Sequence, residues 1–175
     1  MLKPAAALCS GLLIAGAVIG FAQGKKAPAS PPAETAVTIG GKEIRIKYAA
    51  PSMRGRKIFG GLEPYGKVWR AGANSATALH TDADLKIGKL TVPKGDYTLF
   101  VWLDPEQWQL IVNKQTGQWG LSYDESQDLG RVPMKMGKPA APVEVFKMTL
   151  SSEGGEGVLK LEWENTTASV RFTAQ

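Results

Sequence analysis

The chain carries one cysteine, Cys9, and one histidine, His80, in 175 residues. Cys9 lies in an apolar leader, so the chain beyond it has no thiol to form a disulfide or act as a nucleophile. A zinc site of Cys and His needs three or four such ligands and is ruled out. There is no Gly-x-Ser-x-Gly elbow, and a Ser-His-Asp triad would have to use His80. His80 sits in Thr77-Ala78-Leu79-His80-Thr81, which reads as a strand, and we take it as a strand residue rather than a catalyst. Lys and Arg total 21 against 16 Asp and Glu, a net charge of +5, yet no long block of like charge occurs. Without a basic stripe, and with an export leader, no nucleic-acid partner is expected. No window of the chain shows a helical period.

The leader begins with Lys3, and Pro4 to Ala22 is uncharged. Gly20 and Ala22 are the small residues of a cleavage site before Gln23, so residues 1–22 read as a signal peptide. The alternative is an uncleaved anchor, because the run is long enough to span a bilayer. Cleavage near Ala22 implies a periplasmic or extracellular protein, touching a membrane only if that segment is retained. Residues 23–35, QGKKAPASPPAET, are Pro/Ala-rich and read as a disordered tether. The domain is expected over residues 36–175. At that length roughly 70% of the unfolded surface can be buried, enough for a core without disulfides.

What the chain has is alternation. Ile44, Ile46 and Tyr48 alternate with Glu43, Arg45 and Lys47. Tyr97, Leu99, Val101 and Leu103 share one face, and Phe100 and Trp102 on the other imply a strand covered on both sides. Trp108 to Val112, Phe146 to Leu150, Leu159 to Trp163 and Val170 to Phe172 complete the pattern. Gly40-Gly41, Pro93-Lys94-Gly95 and Asn165-Thr166-Thr167 punctuate it as turns. The last also fits a glycosylation sequon but reads as a plain hairpin. The expected fold is all-β: a single antiparallel β-sandwich, jelly-roll-like or Ig-like, of about eight to ten strands with long irregular loops. Helical turns could sit near Lys57 to Gly61 or Thr116 to Leu121.

The exception is Pro51 to Thr77, PSMRGRKIFGGLEPYGKVWRAGANSAT, with five Gly, three Arg and neither period. A stretch this long without secondary structure is functional or disordered. Its apolar anchors, Ile58, Phe59, Leu62, Tyr65, Val68 and Trp69, argue for order.

This loop also carries a resemblance. Gly55 to Leu62, Pro64 to Arg70 and Gly72-Ala73-Asn74 closely resemble an exported bacterial domain-of-unknown-function family, numbered 2911. Val92 to Phe100, Trp108, Asn113-Lys114, Gln118-Trp119-Gly120, Tyr123-Asp124, Asp128 and Arg131-Val132 match it as well. The resemblance covers roughly Ile44 to Leu150 and implies an exported, mainly β domain with no assigned activity. Two positions depart from it. Glu63 stands where such proteins usually look apolar, and Ser75 where a Glu often follows Gly-Ala-Asn.

Three constellations could carry chemistry. Arg54, Arg56 and Arg70 offer planar donor forks for carboxylate, phosphate or sulfate. Asp124 and Asp128, in a second irregular loop, either staple the loops by pairing with Arg56 or Arg70 or line a cleft. Tyr65, Trp69, Trp119 and Tyr123 either anchor the loops as a small core or present faces for sugar rings. Asp82-Ala83-Asp84 reads as a solvated turn, and neither metal nor cofactor is expected.

The leading expectation is a non-catalytic exported binding domain for a carbohydrate or a small anionic envelope component. Its site would comprise Arg54, Arg56, Tyr65, Trp69, Arg70, Asn74, Trp119, Tyr123, Asp124 and Asp128. One alternative is a glycosidase-like hydrolase in which Asp124 and Asp128 divide acid and base roles. The other is a structural envelope-assembly module.

Overall fold

The computed structural model describes residues 28–175. The expected signal peptide, and the tether as far as residue 27, lie outside the described residues. No helix among the described residues is long and apolar enough to cross a membrane.

Two antiparallel sheets pack face to face as a β-sandwich. The first has strand order β1 (Pro32–Ile39), β2 (Lys42–Ala49), β4 (Thr77–Thr81), β7 (Gly95–Leu103), β8 (Gln109–Asn113) and β9 (Asp128–Pro133), with β3 (Lys67–Trp69) also paired to β7. The second runs β11 (Val143–Glu153), β12 (Glu156–Glu164), β13 (Thr166–Ala174), β5 (Leu85–Ile87) and β6 (Leu90–Val92), with β10 (Lys135–Gly137) against β13. Thirteen strands among the described residues exceed the eight to ten expected. The surplus comes from pieces such as β3, β5 and β10, three residues each and too short to show a period.

The tether expectation needs correction. Pro32 to Thr35 belong to β1 and pair with β2, Thr35 opposite Ile46. The Leu150 amide donates to Thr35 Oγ1 at 2.9 Å, and the Ala50 amide donates to the Pro31 carbonyl at 2.9 Å. β1 is an edge strand, where a proline at the first position costs no ladder bond. Gly40 and Gly41, at φ 57° and 76°, close the β1–β2 hairpin with the left-handed pair its twist requires.

The expected helical turns form elsewhere. Residues 57–63 close on themselves through main-chain bonds, the Gly61 and Glu63 amides both donating to the Ile58 carbonyl, without becoming a helix. Among the described residues a single 3-10 turn spans Glu125–Gln127, with Asp124 accepting from the Ser126 amide as its cap.

Between the sheets lies an aromatic cluster. Trp69 stacks on Trp163 at 5.9 Å and 19°, and meets Phe146, Phe59 and Trp108 edge-on at 5.0 to 6.2 Å. All five rings are buried. Such edge-to-face pairs add roughly 1 kcal/mol each beyond the area they bury.

Candidate functional site

The last part of the long loop is an enlarged bulge between β3 and β4, which both pair with β7 inside the first sheet. Trp69 lies opposite Val101 and Thr77 opposite Leu99. β7 therefore advances two residues (99 to 101) while the facing chain spends eight (69 to 77). The surplus is thrown outward as a loop containing Ala71 at φ 50° and Asn74 at φ 62°, left-handed conformations that non-glycine residues rarely adopt. Thr77 Oγ1 donates to the Ala71 carbonyl at 2.8 Å and ties the bulge down.

The second loop, residues 114–127, crosses the outer face of the first sheet and meets this bulge. Ser75 and Trp119 form an antiparallel bridge. The Ala76 amide donates to the Gln118 carbonyl at 3.2 Å, and the Gly120 amide to the Asn74 carbonyl at 3.0 Å. Glycine is required at 120, since a Cβ there would overlap Arg70 Cδ and lie 2.7 Å from the Asn74 carbonyl oxygen. The crossing loop explains why β7 is covered on both sides. Tyr123 packs edge-on over Phe100 at 5.0 Å, and Phe100 is buried although it faces away from the second sheet.

The residues expected to form one surface divide among several places. Trp69 is a correction: only 2% exposed, it belongs to the inter-sheet core. Strand alternation carries it inward and its neighbour Arg70 outward, where Arg70 and Phe100 line one cavity. Arg54 and Arg56 are a second correction, because both are spent at the start of the loop. The Arg54 guanidinium donates to the Ala29 carbonyl at 3.2 Å and its amide to Glu144 at 2.9 Å. Arg56 donates to the Met53 and Ser52 carbonyls at 2.9 and 2.8 Å.

Asp128 does staple a loop, but to Arg131 rather than Arg56 or Arg70. It accepts from Tyr123 Oη at 2.7 Å, Asn113 Nδ2 at 2.9 Å and Arg131 Nε at 3.1 Å. Burial first, and then the bond to Asp128, push the Tyr123 hydroxyl far above its ordinary range, so it stays a donor. Asp124 accepts from the Ser126 amide and hydroxyl at 2.9 and 2.7 Å. The pair expected for acid–base work is thus committed to a cap and a staple. Neither lines the groove or the cavity described next.

Asn74, Trp119 and Arg70 remain at the loop junction, while Tyr65 lies apart from it, its ring against Gly60. Trp119 is 54% exposed and Tyr65 41%. On one side of the second loop runs a groove formed by two adjoining hollows of about 600 and 520 Å³. Ala78 and Lys47 are common to both hollows. Glu43, Arg45, His80 and Asp96 line one end, and Asn74, Ser75 and Gln118 the other. On the other side of the loop lies a cavity of about 110 Å³ that contains Glu63, Arg70 and Tyr123. Trp119 stands between them: Gln118 before it lines the groove, and Gly120 after it the cavity.

Several of these residues were not legible as site members. Arg45 and Lys47 read only as the solvent face of a strand, which they are. His80 bridges two carboxylates, with Nδ1 2.8 Å from Asp96 and Nε2 3.2 Å from Asp82. The Asp96 bond and, behind it, the Asp82 bond hold the imidazole protonated above its ordinary range. A ring bonded at both nitrogens serves poorly as a free base. Glu63 is mostly buried, which pushes its carboxyl above the usual range, while Arg70 pulls it partly back. The one signal for Glu63 in the sequence is its departure from the family pattern. Among the described residues no group of three or more His, Cys, Asp or Glu is placed to hold a metal ion.

No curated protein and no solved structure matches the chain. A family model does: the one described as a protein of unknown function, DUF2911, matches residues 30–172, beginning within two residues of β1, and the chain belongs to that family.

Proposed function

We propose that the chain is an exported, non-catalytic binding domain whose ligand is a carbohydrate lying in the groove beside the second loop. The observation that carries the reading is Trp119, a large indole 54% exposed on a loop pinned by main-chain bonds to its neighbour. An ordered, solvent-facing aromatic ring is a ready platform for the apolar face of a sugar. The groove beside it mixes signs: Glu43 and Asp96 offer acceptors, Arg45 and Lys47 offer donors, and Asn74 and Gln118 offer both. Such a lining suits a neutral, polyhydroxylated ligand better than an anion, which the carboxylates would repel. Hollows of 520 to 600 Å³ fall within the range of small-ligand sites. Export to the periplasm or beyond is part of the proposal, because glycans of the envelope would be met there.

The test is calorimetric titration of the chain with neutral and acidic oligosaccharides, with tryptophan emission followed in parallel. A bound glycan should perturb the solvent-exposed emission. Trp119→Ala should weaken binding by about 2 kcal/mol, roughly 30-fold, while the fold is retained. Failure of every neutral oligosaccharide to bind, or unchanged affinity in Trp119→Ala, would overturn the reading.

A further inference from the structure

The groove beside the second loop has a shape that the first sheet fixes. Its floor is β4. Thr77, Leu79 and Thr81 turn into the core, so Ala78 between them faces outward and is exposed. Ala78 lies in register between Lys47 of β2 and Thr98 of β7. On the β2 side stand Arg45 and Lys47, which meet Glu34 of β1 at 3.6 and 3.7 Å. On the β7 side Thr98 Oγ1 donates to the Gln115 carbonyl at 2.7 Å, and the Ala76 amide to the Gln118 carbonyl at 3.2 Å. Those two bonds hold the second loop over β7 as the opposite wall. A methyl group between two cations and a pinned loop is what leaves a trough there. Along β2 the trough reaches from Glu43 to Ala49. At about 3.3 Å per residue it is about 20 Å long. Two strand spacings separate β2 from β7, so it is about 10 Å wide.

We infer that the groove takes a single unbranched glycan, several sugars long, laid along β2 over Ala78, and that the small size of Ala78 sets this specificity. The inference rests on the carbohydrate reading above and narrows it from sugars in general to linear ones. The length exceeds any monosaccharide, and the width admits one row of rings. A branch would run into the pinned loop on one side or the Arg45–Lys47 row on the other. An extended peptide would also match the length, but such peptides bind by adding a strand to an open sheet edge. The main chains of β2 and β4 are paired on both sides, so the floor offers side chains and no edge. That surface suits rings and hydroxyls rather than a peptide backbone.

The experiment titrates the full chain by calorimetry with cello-, manno-, malto- and chito-oligosaccharides, each from the monosaccharide to the hexasaccharide. Branched oligomers cut from xyloglucan, galactomannan and amylopectin serve as counterparts to the first three. In the series that binds, affinity should rise at least about tenfold from monosaccharide to hexasaccharide, and the branched counterpart should bind at least about tenfold more weakly. Ala78→Ile should weaken the hexasaccharide by at least about tenfold, because the larger side chain fills the floor. Isoleucine suits an exposed strand position, so the melting temperature should hold. Ala78→Ser should stay within about threefold of the parent. If Ala78→Ile fails to fold, the length series and the branched pair decide. A monosaccharide that binds as tightly as its hexasaccharide, an equally tight branched oligomer, or a folded Ala78→Ile that binds unchanged would overturn this inference and leave the carbohydrate reading standing. Tighter binding of an extended Gly-Ser decapeptide than of any glycan, or no binding by any series, would overturn both.

Discussion

Asp128 is the point on which the second loop hangs. Its carboxylate, only 11% exposed, accepts from Asn113, Tyr123 and Arg131. Asp128→Ala removes an ionised acceptor from three donors at once. Asn113 keeps a bond to the Asp124 carbonyl at 2.9 Å, and Arg131 keeps Glu125 at 2.6 Å, so the loss is partial. About 1 kcal/mol for each neutral donor and about 2 for the guanidinium, reduced for non-additivity, give a destabilisation of about 3 kcal/mol. With a urea slope of about 2 kcal/mol per molar, the unfolding midpoint should fall by about 1.5 M. Asp124→Ala is the internal comparison. It removes only the cap of a three-residue turn, worth about 1 kcal/mol or about 0.5 M. Hydrogen exchange at amides 114–124 should accelerate in Asp128→Ala far more than in Asp124→Ala. Equal midpoint shifts for the two variants would show that the staple has been misjudged. So would a Asp128→Ala chain as stable as the parent.

Trp69→Ala should cost about 3 to 5 kcal/mol in urea unfolding, because it empties the centre of the aromatic cluster. A neutral effect would mean that the ring serves the surface instead. For Glu63 the folded pKa is raised, so its favourable contribution is complete below the ordinary carboxyl range and is lost as pH rises through the raised value. Glu63→Gln should therefore raise the melting temperature at pH 8 and leave it unchanged below about pH 4, whereas a constant offset across that range would refute the assignment. Gly120→Ala should destabilise by about 1 to 3 kcal/mol and open the Ser75–Trp119 junction to exchange, since the Asn74 main chain cannot yield as a side chain could.

Period-two runs made the sandwich legible. Ile44 and Ile46, Leu99 to Leu103, and Leu159 to Trp163 all bury the face that their alternation assigns. Gly40-Gly41 closes its hairpin because two left-handed residues in sequence admit few other turns. The start of the domain was less legible. Pro32 to Thr35 have no large apolar side chain, and their place in β1 comes from an available edge on β2 rather than from their own character. For the same reason β3 could not be seen. Three residues show no period, and whether Trp69 faced the core or a ligand depended on the register of β3 against β7.

Read alone, the sequence determined the all-strand class, the family, and the convergence of chemistry on two irregular loops, because alternation, turn residues and composition are local properties. Only the tertiary structure decided which loop residues share a surface. It turned Trp69 inward and Arg70 outward, bound Asp128 to Arg131, and set Lys47, His80 and Gln118 along one groove. Those outcomes depend on pairing between segments far apart in the chain. A slip of one residue there reverses every side chain, and no local pattern records it.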